Sequence, residues 1–393
     1  MPADHRGSDG AACDLLIVKD QAAEDASAPE FRYLFSCLIQ QARKVFASVR
    51  VYMWGVDGAL VVPDPPTAVL LLGTGNVLCT ARSFRHLRDA VLAGADVAIP
   101  RRLSGFPLAD HPPLYTLRDY ELFEGELLAS AAKGDDAMET PLPIALFSGR
   151  AFQRALTRFA LADLLTRPYP LWDLAPAIAR AGMFHEFPDY YGEVREDVLA
   201  WLPPTVADVL EIGCGRGLTG QLIQDRLGCR VTGVELNPLV AREAERRLWR
   251  VHSGDVETLS IDDRYDAIVA TELFEHLDDP EALLRKLAPC LRPGGRIVLS
   301  IPNVGHYSIV RDLLAGRWDY VPVGLLCYTH VRFFTRATLE DWIERAWEGH
   351  RQIIPQTTEV PRWVDDLPAI LRRDRDSLGS KGFWVILEAP SAP

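Results

Sequence analysis

From Val206 onward the chain alternates short apolar runs with helix-spaced segments, and the first turn of that alternation is the glycine loop Glu211-Ile212-Gly213-Cys214-Gly215-Arg216-Gly217. This alternation restricts the fold more than any other feature. It predicts strands at Val206–Ile212, Arg230–Glu235, Tyr265–Ala270 and Arg296–Ile301, and a short segment ending at Asp255. Between them it predicts helices at Leu218–Leu227, Leu239–Trp249 and Pro280–Leu291. Repeated β–α units joined by right-handed crossovers build a parallel, doubly wound sheet, so the class is α/β. In such a sheet ligands bind at the carboxyl ends of the strands, near the point where strand order reverses.

The glycine loop lies at that position. Glycines let the backbone turn sharply and let a ligand approach without a Cβ in the way. Glu235 ends the next strand, where a carboxylate can accept both hydroxyls of a ribose. The loop is G-x-G-x-G rather than the dinucleotide pattern G-x-G-x-x-G, and no Lys-Ser/Thr pair follows it as in a P-loop. Glu211 on the strand end suits a ligand bearing a positive amino group better than a pyrophosphate. These residues describe a nucleoside site.

The length of 393 residues suggests two domains. Residues 1–29 read as a flexible tail, 30–165 as a smaller α/β accessory domain, 166–204 as a proline-interrupted linker and lid segment, and 205–393 as the doubly wound domain. Within 30–165 the pattern predicts a helix over Phe31–Val45 and strands at Val49–Trp54 and Ala68–Leu72, then a helix Ala81–Ala93 and a strand Asp96–Pro100. A helix is expected from Val194 to Leu202. A net charge of −12 argues against a broad nucleic-acid or anionic-membrane face. Seven cysteines without a C-x-x-C pair indicate neither a disulfide framework nor a zinc ribbon, and no metal-ligating set is read. The first thirty residues lack a signal-peptide pattern and no apolar run is long enough to span a bilayer. A cytoplasmic protein without an integral membrane segment is expected.

Val209–Gly217, Glu235, Gly254-Asp255, Phe274-Glu275-His276 and Leu291-Arg292-Pro293-Gly294-Gly295 resemble, in order, the successive motifs of class I S-adenosylmethionine-dependent methyltransferases. The resemblance implies a Rossmann-like sheet and S-adenosyl-L-methionine as cofactor. It places Gly213, Gly215 and Gly217 around the methionine end, Glu211 at its amino group, Glu235 at the ribose, and Asp255 with the Val256 backbone at the adenine. Glu272 and His276 would face the place where methyl donor and acceptor meet. Tyr190 and Tyr191 would contribute to a lid.

The run Gly324–Thr335 is similar to a bacterial methyltransferase group often fused to, or encoded among, sugar-transfer enzymes, with Cys327 where that group carries Asp. This implies O-methylation of a saccharide or surface-polysaccharide precursor, with association to glycosyltransferases as the partner expectation. O-methylation of a small molecule, such as a quinone precursor or natural product, is the second reading. A non-catalytic cofactor-binding scaffold is the third. A hydroxyl acceptor needs a base within hydrogen-bond reach, and His330 is the first candidate, followed by His306 and His276. A purely structural role for His330 and Arg332, fixing their loop to the sheet, stands beside this. Residues 68–100 and 143–152 resemble nucleotide-sugar glycosyltransferases of the Asp-x-Asp type, although Gly73-Thr74-Gly75-Asn76 supplies no carboxylate. That resemblance implies a degenerate domain that positions a saccharide, with Asp135-Asp136 a solvated turn.

Overall fold

The computed structural model describes residues 13–20, 29–57, 67–73, 77–103, 144–161, 177–186, 190–321, 324–367 and 374–390, with single positions at 60, 118, 124 and 164. Two compact units divide at Phe187/Pro188.

The first unit carries β1 (Asp14–Asp20), α1 (Pro29–Arg43), β2 (Ser48–Trp54), β3 (Thr67–Leu72), β4 (Val77–Leu78), α2 (Ala81–Leu92), β5 (Val97–Leu103), β6 (Ile144–Ser148), α3 (Gly149–Leu156) and β7 (Ile178–Glu186). These strands form one mixed sheet in the order β2-β1-β3-β6-β5-β7-β4. β4 and β6 were not expected as strands, and two more fall outside the expected accessory domain. β1 falls inside the expected tail, because Leu15, Leu16, Ile17 and Val18 are buried and pair in parallel with both β2 and β3. β7 falls inside the expected linker, where it pairs in parallel with β5. Residues 74–76 and 135–136 lie outside the described residues, so the Gly73–Asn76 and Asp135-Asp136 readings do too.

The second unit follows the predicted alternation: β8 (Asp208–Ile212), α4 (Leu218–Leu227), β9 (Arg230–Glu235), α5 (Pro238–Ala244), β10 (Arg250–Ser253), β11 (Tyr265–Thr271), α6 (Pro280–Leu287) and β12 (Leu291–Pro302). Then come α7 (Tyr307–Leu314), α8 (Arg336–Ala346), β13 (His350–Thr357), α9 (Arg375–Leu378) and β14 (Ser380–Glu388). The sheet order is β10-β9-β8-β11-β12-β14-β13. β8 through β12 pair in parallel, and β14 pairs antiparallel with both β12 and β13. Strand order reverses between β8 and β11, which puts the loops after these two strands on either side of the crevice where a doubly wound sheet binds ligands.

Val209, Leu210, Val269, Ile297 and Leu299 are fully buried in this sheet, as expected of parallel strands covered on both faces. The segment expected to be helical from Val194 is instead a 3₁₀ helix over Glu196–Trp201, which seats Val198 and Leu202 on the apolar cluster beneath α4. α6 stops at Leu287, where Pro289 cannot continue the backbone ladder and a 3₁₀ turn carries the chain into β12.

Candidate functional site

The glycine loop leaves β8 and enters α4 with Gly213, Gly215 and Gly217 all at positive φ, 70°, 53° and 77°. At Gly215 the need for glycine is doubled. A Cβ there would stand 2.7 Å from the Tyr191 carbonyl oxygen, which itself accepts the Arg216 amide at 3.0 Å. The Tyr191 hydroxyl accepts from the Asn237 side-chain amide at 3.4 Å, so the Tyr190–Gly192 turn lies directly against the loop. The Tyr190 side chain is not among those described.

Glu235 is buried at the end of β9. One carboxylate oxygen accepts the Gly215 amide at 3.0 Å and the other accepts the Asn237 amide at 2.8 Å. Burial raises its pKa, and these backbone donors oppose the rise. Each oxygen keeps a further lone pair. Glu211, buried at the end of β8, has its Oε2 without a hydrogen-bond partner. Burial pushes its carboxyl up to about 8, the Gly220 amide pulls it down, and the negative charge of Glu235 adds to the rise. The crevice therefore holds two buried carboxyls, Glu211 and Glu235, and among the described residues no cation is paired with Glu211.

Asp255 follows β10 and is exposed; its Oδ1 accepts the Glu257 amide at 2.9 Å and its carbonyl accepts the Leu259 amide at 2.8 Å, closing a turn. The preceding residue Gly254 donates its amide to the Glu235 carbonyl at 2.9 Å, which holds this turn against the end of β9. Val256 is buried in the core, and its carbonyl accepts Lys286 Nζ at 2.7 Å.

Glu272 directly follows β11 at φ 50°, the one non-glycine at positive φ among the described residues. Strain of this kind persists only where surroundings fix it. Here the Glu272 amide donates to Ser300 Oγ at 3.0 Å, and Ser300 Oγ donates back to Glu272 Oε1 at 2.7 Å. Arg195 reaches the same Oε1 at 3.4 Å, pairs with Asp197, and lies over the Trp384 ring. Arg195 and Ser300 were not singled out from sequence. A lone arginine among loop residues and a serine inside an apolar strand carry no local pattern.

The three histidines separate. His330 and His276 meet edge to face, ring centroids 4.8 Å apart, and His330 Nε2 lies 3.9 Å from Glu275 Oε1. Burial, reinforced by His276, pulls His330 down to about 3, against a hydrogen bond to the Leu325 backbone carbonyl that favours the protonated ring. Burial also lowers His276, whose Nδ1 lies 3.2 Å from the Thr329 carbonyl. His306 is elsewhere in role. It is fully buried at the N-cap of α7, with Nδ1 2.8 Å from Ser308 Oγ and Nε2 3.1 Å from Thr358 Oγ1. Both ring nitrogens are engaged in holding the helix and the end of β13, so the expectation that His306 is a base is replaced by a structural role. Cys327 is buried with its Sγ 3.2 Å from Thr329 Oγ1, packing the loop that carries His330.

A Rossmann-like sheet with a glycine loop at its switch point, an acidic residue closing the next strand and a buried Glu-His cluster after β11 is the arrangement that the sequence resemblance to class I S-adenosylmethionine-dependent methyltransferases implies. Residues 183–346 match the family described as methyltransferase domain. Among curated relatives, a ubiquinone biosynthesis O-methyltransferase of Xanthomonas axonopodis pv. citri is 38% identical over 145 residues, covering 32% of this chain and 59% of its own. The enzyme of the same name from Aeromonas salmonicida is 30% identical over 141 residues, covering 33% and 58%. The chain thus spans less than two thirds of the length of these relatives. A solved S-adenosylmethionine-dependent methyltransferase from Archaeoglobus fulgidus covers 49% of this chain and 90% of its own at 20% identity and a TM-score of 0.38. The family match leaves nearly all of the first unit uncovered, and the glycosyltransferase likeness expected there gains no support from it. Among the described residues no helix is long and apolar enough to cross a membrane.

Proposed function

We propose that the chain is an S-adenosylmethionine-dependent O-methyltransferase acting on a hydroxyl of a small aromatic acceptor such as a quinone precursor. The observation that carries the cofactor assignment is the orphaned, buried Oε2 of Glu211 at the root of a loop whose positive-φ backbone and close approach to the Tyr191 carbonyl require glycine. A buried carboxyl oxygen without a partner is costly, and the ammonium of a methionine moiety would supply one. Glu235 would hold the ribose through its remaining lone pairs, and the turn at Asp255 and Val256 would line the adenine. When bound, the cofactor supplies an electrophilic methyl group on a sulfonium.

The protein's own task is then alignment and exclusion of water. Arg195, Glu272 and Ser300 lock the end of β11, and the Tyr190–Gly192 turn covers the glycine loop. His276 and His330 stand on the acceptor side, both neutral because burial opposes their protonation, so their role there is to orient an acceptor hydroxyl by hydrogen bonding rather than to hold its proton.

The names of the curated relatives favour the aromatic acceptor over the saccharide first expected; none of those cited here is named for a saccharide. Incubation with methyl-labelled S-adenosylmethionine and separate polyhydroxylated aromatic and saccharide pools tests this. Label in the aromatic pool supports it. Label confined to the saccharide pool restores the first expectation, and cofactor binding with no label in any pool favours the scaffold.

A further inference from the structure

The side chains of Glu275, His276 and His330 each present one donor atom, and these atoms all lie within 4.8 Å of one another. Glu275 is fully buried, yet neither of its carboxylate oxygens has a hydrogen-bond partner. This is unusual, because a buried carboxylate is normally paired, bonded or coordinated. Its position is imposed by backbone: the Glu275 carbonyl accepts the amides of Val331 and Arg332 at 2.9 and 3.0 Å, which ties the short turn after β11 to the loop bearing His330. The fold therefore brings the carboxylate to the two imidazoles and leaves it unsatisfied there.

We propose that Glu275, His276 and His330 form a binding site for a divalent transition-metal ion, beside the cofactor crevice. Two imidazoles and one carboxylate are a donor set that suits zinc, manganese, iron or cobalt better than calcium or magnesium. The Thr329 carbonyl accepts the Nδ1 proton of His276 at 3.2 Å and so fixes the tautomer that leaves the Nε2 lone pair toward an ion. His276 is only half-buried, which gives an ion a way in. Ligand atoms on a common ion would stand roughly 3.3 Å apart, from bonds of about 2.0 Å, so small side-chain rotations complete the site. Three protein ligands leave coordination positions for water or an acceptor hydroxyl. The three ligands come from two segments far apart in sequence, which is why no metal-ligating set was legible there.

The test uses the full chain, stripped of metal with a chelator and titrated with Co²⁺ while visible absorption is recorded, then with Zn²⁺ and Mn²⁺ by calorimetry. The expected result is saturation at one Co²⁺ per chain with intense visible d–d bands of a low-coordinate site, and an affinity at least about tenfold weaker in Glu275→Gln and in His330→Ala. Absence of saturable binding to the stripped wild-type protein overturns the proposal without reliance on any variant, and leaves the cluster sharing a proton instead. Binding that Glu275→Gln and His330→Ala leave unchanged also overturns it. S-adenosylhomocysteine titrated into the same stripped sample separates this from the methyltransferase reading: cofactor bound with no metal bound sinks the metal site alone, and metal bound with no cofactor bound sinks only the other.

Discussion

Replacing Glu235 with Ala removes the acceptor of two buried backbone donors, the amides of Gly215 and Asn237 at 3.0 and 2.8 Å. A buried donor left without a partner costs about 1–3 kcal/mol. Burial of the carboxylate already works against the wild-type residue, since it raises the pKa of Glu235, so the lower half of the combined range is appropriate: about 3 kcal/mol for the pair. For a domain of this size that corresponds to a melting temperature lower by about 6–12 °C. The cofactor loses in addition the hydrogen bonds of its ribose to a charged acceptor, about 1.5–3 kcal/mol, which is roughly a tenfold to 150-fold weaker Kd. Glu235→Gln keeps one acceptor oxygen, so it should melt higher than the alanine variant while still binding the cofactor less tightly than wild type. Differential scanning calorimetry of the two variants, with isothermal titration of S-adenosylhomocysteine on the same samples, measures both effects. Wild-type affinity in Glu235→Ala at a temperature where the variant is folded would refute the ribose assignment. A wild-type melting temperature would refute the loop-anchoring role.

Three further outcomes are expected. The folded pKa of Glu211, about 8, lies above its ordinary value of 4.5, so the folded state holds a proton that the unfolded state has released. Stability of the cofactor-free protein should therefore fall as pH rises from about 4.5 to about 8; binding an ammonium there should release close to one proton near pH 7, read by calorimetry in buffers of different ionisation enthalpy, and Glu211→Gln should abolish that release. Gly215→Ala places a methyl 2.7 Å from the Tyr191 carbonyl at a backbone angle of 53°, and should weaken cofactor binding at least about tenfold while costing roughly 1–3 kcal/mol of stability; unchanged binding would show that the loop yields. His306→Ala removes the N-cap of α7 and should cost about 1–2 kcal/mol with cofactor affinity unaltered, whereas lost methyl transfer in a fully folded variant would return His306 to the reaction.

Sequence patterning revealed the doubly wound sheet because it is built from local signals. α4 and β9 have the predicted bounds, since Gly217 and Gly228 frame the helix and an apolar run ending in Glu235 makes the strand. Patterning failed where partners decide. β1 lies in a segment whose flanking residues are polar and small, and its four apolar residues become a strand only because β2 and β3 stand on either side. That Glu211 and Glu235 would be buried side by side was legible because each ends a strand beside the glycine loop. Arg195 and Ser300 were not, since their importance comes from meeting Glu272 across the fold. His306 illustrates the converse: a histidine in a polar stretch looks available until the structure surrounds it with Ser308 and Thr358.

The placement of β14 between β12 and β13 bears on how the second unit is made. β14 is the last of its strands to be synthesised, and until it emerges from the ribosome β12 presents an open, apolar edge and β13 has no neighbour at all. Such edges invite pairing with other chains. The nascent unit is therefore open to intermolecular pairing from the emergence of β12 until β14 follows it.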